Sequence, residues 1–249
     1  MPVLNSNNMQ DHKIGGSNYG FSAKRIDDLG ASEYTLVVLA VDVSGSVWGF
    51  DKEIESAVKQ VVQSCRHSPR ADNLMLRVLL FNDRLTEFHG FKPLSECNVD
   101  DYTGSIQPGG GTALYDACHN VVESAARYGR DLAKQHYEAN GIVFVITDGL
   151  ENGNSTLTVN SVKQALDGAI TDEDLESMRA VLIGVNVDPQ SGTSTHLDNF
   201  SQQAGFDQYV ASGNASASTL AKLADFVSKS ISAQSQALST GGPSQSLTF

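Results

Sequence analysis

From residue 34 to residue 43 the chain reads YTLVVLAVDV, an apolar run in which polar residues do not alternate with apolar ones. A strand with one wet face alternates. A run without alternation suits a strand covered on both faces, as in a parallel sheet. The period then changes. In FDKEIESAVKQVVQSCRHS, Ile54, Val58, Val61, Val62 and Cys65 recur at helical spacing, which predicts an amphipathic helix. Two strands are predicted next, over 73–82 and 85–91, joined by a tight turn at Asn82-Asp83 that points to antiparallel pairing. A loop over 92–111 carries QPGGG. The helix predicted after it, roughly 113–137, sets Leu114, Ala117, Cys118, Val121 and Val122 on its inner face.

The second half repeats this alternation. GIVFVITDG (141–149) reads as another buried strand, TVNSVKQALDGAI and DEDLESMR as helical, and AVLIGVNV (180–187) as a strand. HLDNFSQQAG reads as a short helix, DQYVAS as a short strand, and 215–235 as the final helix. Strand and helix alternate at spacings that favour βαβ crossovers, so the expected class is α/β with a mostly parallel sheet. The two ends depart from the pattern. Residues 1–33 are polar and glycine-bearing without sustained periodicity, and are expected to form an extended, partly ordered arm ahead of a domain over 34–235. Residues 236–249 end in STGGPSQSLTF and are expected to be a flexible tail, with Leu247 and Phe249 spaced to dock on a sheet edge.

Candidate chemistry gathers where predicted strands end. In a doubly wound sheet, ligands bind outside the carboxyl ends of the strands. Asp42, Ser44 and Ser46 leave the first core strand, Thr112 closes the GGGT loop, and Asp148 leaves the strand ending ITDG. Two carboxylates and three hydroxyls are hard oxygen donors, which select Mg²⁺, Mn²⁺ or Ca²⁺. Two carboxylates balance the charge of a divalent ion and leave it electrophilic, with a position for an incoming carboxylate. Taken singly these residues have plainer readings. Ser44 and Ser46 suit a turn or helix cap, Thr112 a cap for the helix at 113, and Asp148 a turn before Gly149. Asp116, one helical turn past Thr112, reads as a capping or solvated residue.

The three motifs DVSGS, GGGTALYDA and ITDG, in that order, resemble the von Willebrand factor A domain family and its metal-ion-dependent adhesion site. The family pattern is Asp-x-Ser-x-Ser, a distant Thr and a distant Asp, matched here by Asp42, Ser44, Ser46, Thr112 and Asp148. The resemblance covers about residues 34–232. It implies a Rossmann-like, doubly wound fold: a mainly parallel central sheet with one antiparallel edge strand and helices on both faces. It also implies a module that captures an acidic residue of a partner protein through the bound ion. Trp48, Phe50, Gly110, Gly111, Glu151 and Asn152 are the expected partner-binding rim. Glu151 and Asn152 read equally well as an ordinary polar loop, and Trp48 and Phe50 as cover for the first helix.

Composition narrows the partner. Net charge is −12 and the isoelectric point about 4.8, a field that repels nucleic-acid backbones and anionic lipid surfaces. No apolar run approaches the ~20 residues that span a bilayer. The start of the chain lacks a basic region followed by an apolar stretch, and Cys65, Cys97 and Cys118 show no metal-type spacing. A cytoplasmic setting is expected. Intracellular bacterial members of the family imply partners such as a MoxR-type AAA+ ATPase, or a role in stress-resistance operons. His67, His89, His119 and His136 show no spacing suited to a metal or to proton transfer. The alternative is a metal-dependent hydrolase or phosphatase using the same ion as a Lewis acid. Near the proposed ligands only Lys52 is cationic, and the chain has neither a G-x-x-x-x-G-K-[ST] loop nor a G-x-S-x-G elbow, so a non-enzymatic role is expected.

Overall fold

A computed structural model describes residues 8–152, 154–171, 175–243 and 247–249. The strands are β1 (Met9–Lys13), β2 (Gly20–Lys24), β3 (Glu33–Asp42), β4 (Leu74–Phe81), β5 (Leu85–Pro93), β6 (Glu138–Thr147), β7 (Met178–Gly184) and β8 (Gln208–Ala211). The helices are α1 (Asp51–Arg66), α2 (Leu114–Ala133), α3 (Val159–Thr171), α4 (Gly192–Ala204) and α5 (Ala217–Thr240). All eight strands join one sheet in the order β1-β2-β5-β4-β3-β6-β7-β8.

Its centre is the unalternating run. β3 pairs in parallel with β4 on one side and β6 on the other, and β6 continues in parallel to β7 and then β8. Successive side chains point to opposite faces. Leu36, Val38 and Ala40 enter one apolar core with Leu114, Val121 and Leu166, while Val37, Leu39 and Val41 enter the other with Ile54, Val58 and Val227. Thus α2, α3 and α4 cover one face and α1 and α5 the other. Both faces are dry, so β3 has no polar alternation.

The predicted turn at Asn82-Asp83 makes β5 antiparallel to β4. Beyond β5 the structure adds what the pattern did not foretell. Part of the expected arm is a β1–β2 hairpin, antiparallel within itself, that joins β5 through β2. Phe21, Ala23 and Ile14 are buried there, and His12 stacks on Phe21 with ring centroids 4.7 Å apart. Five-residue strands are too short to show a period, and MQDHK carries its polar side chains along an edge.

Two further expectations change. DEDLESMR is not helical where it is described: Leu175 and Glu176 form a bend and Met178 already begins β7. Asp172–Asp174 lie outside the described residues. The final helix runs on to Thr240 and closes on Gly241 in the left-handed conformation, so 236–240 belong to α5 and not to a tail. Of the two residues expected to dock on a sheet edge, Leu247 does so and Phe249 meets helix α5 instead. The Leu247 carbonyl accepts from Gln208 Nε2 at 3.0 Å on edge strand β8, and the Phe249 ring meets Phe226 edge-on. The rest of those terminal expectations, on 1–7 and 244–246, falls outside the described residues. Among the described residues no helix is long and apolar enough to cross a membrane.

Candidate metal centre

β3 and β6 are adjacent, parallel and in register, so both end at the same sheet edge. That places Asp42, the last residue of β3, beside Thr147 and Asp148 at the end of β6. Asp42 is 1% exposed. Its Oδ1 accepts from the Ser44 backbone N–H at 2.8 Å, and its Oδ2 from the Thr147 hydroxyl at 2.6 Å. The Ser44 and Ser46 hydroxyls lie 3.0 Å apart, and Ser46 donates to Asp148 Oδ1 at 2.8 Å. Four of the five predicted oxygen ligands therefore form one connected cluster, buried at Asp42 and open at Ser46.

The serines do lie in a turn, but the capping role does not hold. Ser44 stands at the N-cap of a short 3₁₀ turn over Gly45–Val47, yet its hydroxyl makes no capping bond. It faces Ser46 instead.

The GGGT loop reaches the cluster by backbone bonds. Gly109 N–H donates to Val43 O at 2.9 Å and Gly45 N–H to Gly110 O at 3.1 Å. Asn82 Nδ2 holds Gly109 O at 2.7 Å. Gly110 has φ of +77°, and a side chain there would strike the Asp83 carboxylate, so this position needs glycine. Gly111 lies under the Asn152 and Asn154 side chains, where a Cβ has no room. Thr112 is buried, with its N–H bonded to Asn152 Oδ1 at 3.0 Å. The α2 N-cap is Ala113, without a side-chain cap, so the Thr112 hydroxyl does not fill that role. Among the described residues no hydrogen bond ties this hydroxyl to the Asp42 cluster; the loop, not a side-chain bond, brings Thr112 to this edge.

The expected rim divides. Trp48 is 69% exposed just past Ser46, whereas Phe50 is 8% exposed and packs into the α1 core. Phe50 is thus a core residue: it directly precedes α1 and turns under that helix. Gly110 is exposed. Glu151 and Asn152 direct oxygens inward. Glu151 Oε2 accepts from Tyr115 N–H at 3.3 Å and Oε1 from Asn154 N–H at 2.8 Å, so these two build the loop they sit in.

Two residues matter more than their sequence positions signalled. Thr147 sits inside ITDG and reads as strand, yet its hydroxyl holds Asp42. Asp116 is buried, accepting from the Thr156 and Leu157 N–H groups at 2.9 Å each, and so clamps the loop after Asp148 onto α2. The one signal available was its place one turn after Thr112.

Burial pushes the Asp42 carboxyl up to about 6, against hydrogen bonds from Thr147 and Ser44, and the Asp148 charge pushes it further the same way. Burial also raises Asp148. Two desolvated carboxylates joined through hydroxyls, with no cation bonded to them among the described residues, fit a hard divalent ion. Among those residues no three of His, Cys, Asp and Glu gather around one point. An ion here would be held by two carboxylates, with hydroxyls and water completing its shell.

Comparison with known proteins bears on this edge. The family model of the von Willebrand factor type A domain matches residues 37–229. No curated protein matches the sequence. Among solved structures, the PilB minor pilin of Streptococcus sanguinis superposes with a TM-score of 0.60 at 16% identity, over 93% of this chain and 69% of the pilin. The pilus adhesin SpaC of Lactobacillus rhamnosus GG gives 0.57 at 14% identity, over 94% of this chain and 36% of the adhesin. Proximal thread matrix protein 1 of the mussel byssus, solved with a zinc-occupied MIDAS motif, gives 0.53 at 18% identity, over 80% of this chain and 46% of that protein. The chain therefore spans about two thirds of the pilin's length and under half of the other two. At these identities the likeness is one of fold.

Proposed function

Since the chain belongs to the von Willebrand factor type A domain family, we propose that it is a divalent-metal-dependent binding module that captures an acidic residue of a partner protein at the Asp42–Asp148 edge. The carrying observation is the hydrogen-bonded oxygen cluster of Asp42, Ser44, Ser46 and Asp148, gathered from the ends of β3 and β6, with Ser46 and Asp148 102 residues apart, and left open at Ser46. The zinc-occupied MIDAS of the byssus protein supports the same reading. Mg²⁺ is the proposed ion, with Mn²⁺ and Ca²⁺ sharing its preference for oxygen.

When bound, the ion supplies an electrophilic coordination position for a carboxylate. The chain's own residues do the rest. Thr147 fixes one Asp42 oxygen and the Ser44 N–H the other, which sets the plane of that carboxylate. Ser46 orients Asp148. The loop bonds between Val43–Gly45 and Gly109–Gly110 hold the Thr112 segment at the same edge. Binding, not hydrolysis, is the role these residues support. A phosphoryl or acyl transfer needs donors or cations aimed at developing charge, and among the described residues the Ser44 N–H and the Thr147 and Ser46 hydroxyls already donate to Asp42 and Asp148, with no Lys or Arg bonded there. We propose a cytoplasmic setting, with an acid-bearing partner such as a MoxR-type AAA+ ATPase.

Thermal melting with and without Mg²⁺ or Mn²⁺ tests the reading. A ligand that prefers the native state raises the midpoint, by about 2.7 kcal/mol at a hundredfold excess over its dissociation constant, or roughly 2–4 °C per kcal/mol for a chain of this size. Asp42→Ala is expected to melt at one temperature with or without the ion. A parent protein indifferent to both ions sinks the proposal.

A further inference from the structure

Beside the oxygen cluster lies a groove that the ion does not need. It has a volume of about 360 Å³ and an apolar floor of Leu114, Tyr115, Leu150, Val159, Leu197 and Phe200, within the ~300–1,000 Å³ typical of ligand-seating pockets. The Tyr115 and Phe200 rings meet at 5.1 Å between centroids, so the floor is an ordered surface. Leu150 is one of few large apolar residues left substantially exposed among those described, at 37%. Building on the proposed function above, we infer that this groove is a specificity subsite that takes a bulky apolar side chain two residues from the partner's metal-binding carboxylate.

Three observations carry this. The groove is continuous with the metal edge along the chain: Leu150 stands two residues after Asp148, and Leu114 two residues after Thr112. Two residues of extended chain span about 7 Å. An extended partner segment returns to the same face every second residue over the same ~7 Å, so one segment reaches both places. Second, the described residues of the wall are bonded to the start of α2. Glu151 accepts from Tyr115 N–H, Asn154 N–H and the Ser155 hydroxyl, and Asp116 accepts from the Thr156 and Leu157 N–H groups. Third, the chain carries a net charge of −12. An acidic partner is repelled everywhere except at the ion, and an apolar contact alongside adds attraction that this field does not oppose.

The test uses short synthetic peptides with one fixed central Glu and randomised flanks, selected on the whole chain in Mg²⁺ and in EDTA. Peptides retained only in Mg²⁺ are expected to be enriched in Leu, Phe, Tyr or Trp two positions from the Glu. Leu150→Ser removes part of the wall, and Gln203→Trp, from an exposed position on α4 that lines the groove, fills it. Both are expected to abolish that enrichment and weaken an apolar-flanked peptide by about tenfold or more, while keeping the Mg²⁺-induced rise in melting temperature. Mg²⁺-dependent binding of Glu peptides with no apolar preference, or with a preference that survives both variants, overturns the subsite and leaves the metal module standing. A cation-induced rise without Mg²⁺-dependent peptide binding also overturns the subsite. Absence of both the rise and the binding overturns subsite and module together.

Discussion

Two polar clusters lie in this one sheet, and they close differently. The first centres on Arg77 of β4, which is fully buried. Its guanidinium donates to Glu87 at 2.7 Å, to Ser124 at 3.0 Å and to Asn120 at 2.9 Å, and Glu87 in turn accepts from the Ser22 hydroxyl at 2.6 Å. Charge meets charge, and the network ties β4, β5, β2 and α2 together. The second is the Asp42–Ser44–Ser46–Asp148 cluster, in which every side-chain member is an oxygen and, among the described residues, no cation answers the carboxylates. A closed network that satisfies its own charges is a structural device. One that gathers like charges at the strand ends is built to receive something.

The difference can be broken at either cluster. The largest effect is expected at the closed one. Arg77→Met strands Glu87 without its ion partner and should cost about 3–5 kcal/mol, read as a lowered urea midpoint, with the cation response intact. A loss under about 1 kcal/mol would mean that the network is ornamental. At the open cluster, Thr147→Val keeps the β-branched strand residue but deletes the hydroxyl on Asp42. The expected loss is about 1.5–3 kcal/mol, as for a hydrogen bond to a charged group, with a weaker melting shift per unit of Mg²⁺. An unchanged response would remove Thr147 from the metal centre.

The effect that is smallest near neutral pH is graded, and it grows as pH falls. His89 of β5 is fully buried, donates to Gly90 O at 3.0 Å and accepts from the Tyr102 hydroxyl at 2.7 Å in its neutral form. Burial, with lesser contributions from Lys92 and Arg77, depresses it from 6.5 to about 3. The unfolded chain takes up this proton below pH 6.5 and the folded chain does not. The contribution is therefore whole above that pH and is lost as pH falls towards 3. The slope approaches about 1.4 kcal/mol per pH unit. His89→Gln should flatten that limb of a stability-against-pH curve, and an unaltered limb would reject the assignment.

How much was legible follows from local against distant causes. β3, β4 and β6 were readable because burial on both faces removes alternation within each strand, a property of the strand alone. DVSGS and ITDG placed Asp42, Ser44, Ser46 and Asp148 at one sheet edge, since parallel neighbours end together, whereas Thr112 follows a loop whose backbone bonds bring it there. Thr147 was not legible, because a β-branched residue suits a strand whether or not its hydroxyl holds a carboxylate. The β1–β2 hairpin was hidden for a different reason: its polar strand is stabilised by pairing with β2 and by Phe21, which its own five residues do not disclose. Phe50 was misplaced because adjacency to Ser46 in sequence says nothing of which way the ring turns.

The bonds between Val43–Gly45 and Gly109–Gly110 have a consequence for how fast this protein responds. The receiving edge does not have to be assembled on arrival, since folding has already ordered its strands and loops. For the proposed ion, loading would then be governed by stripping its water, a step Mg²⁺ takes reluctantly. The clock of the response belongs to the visitor and not to the host.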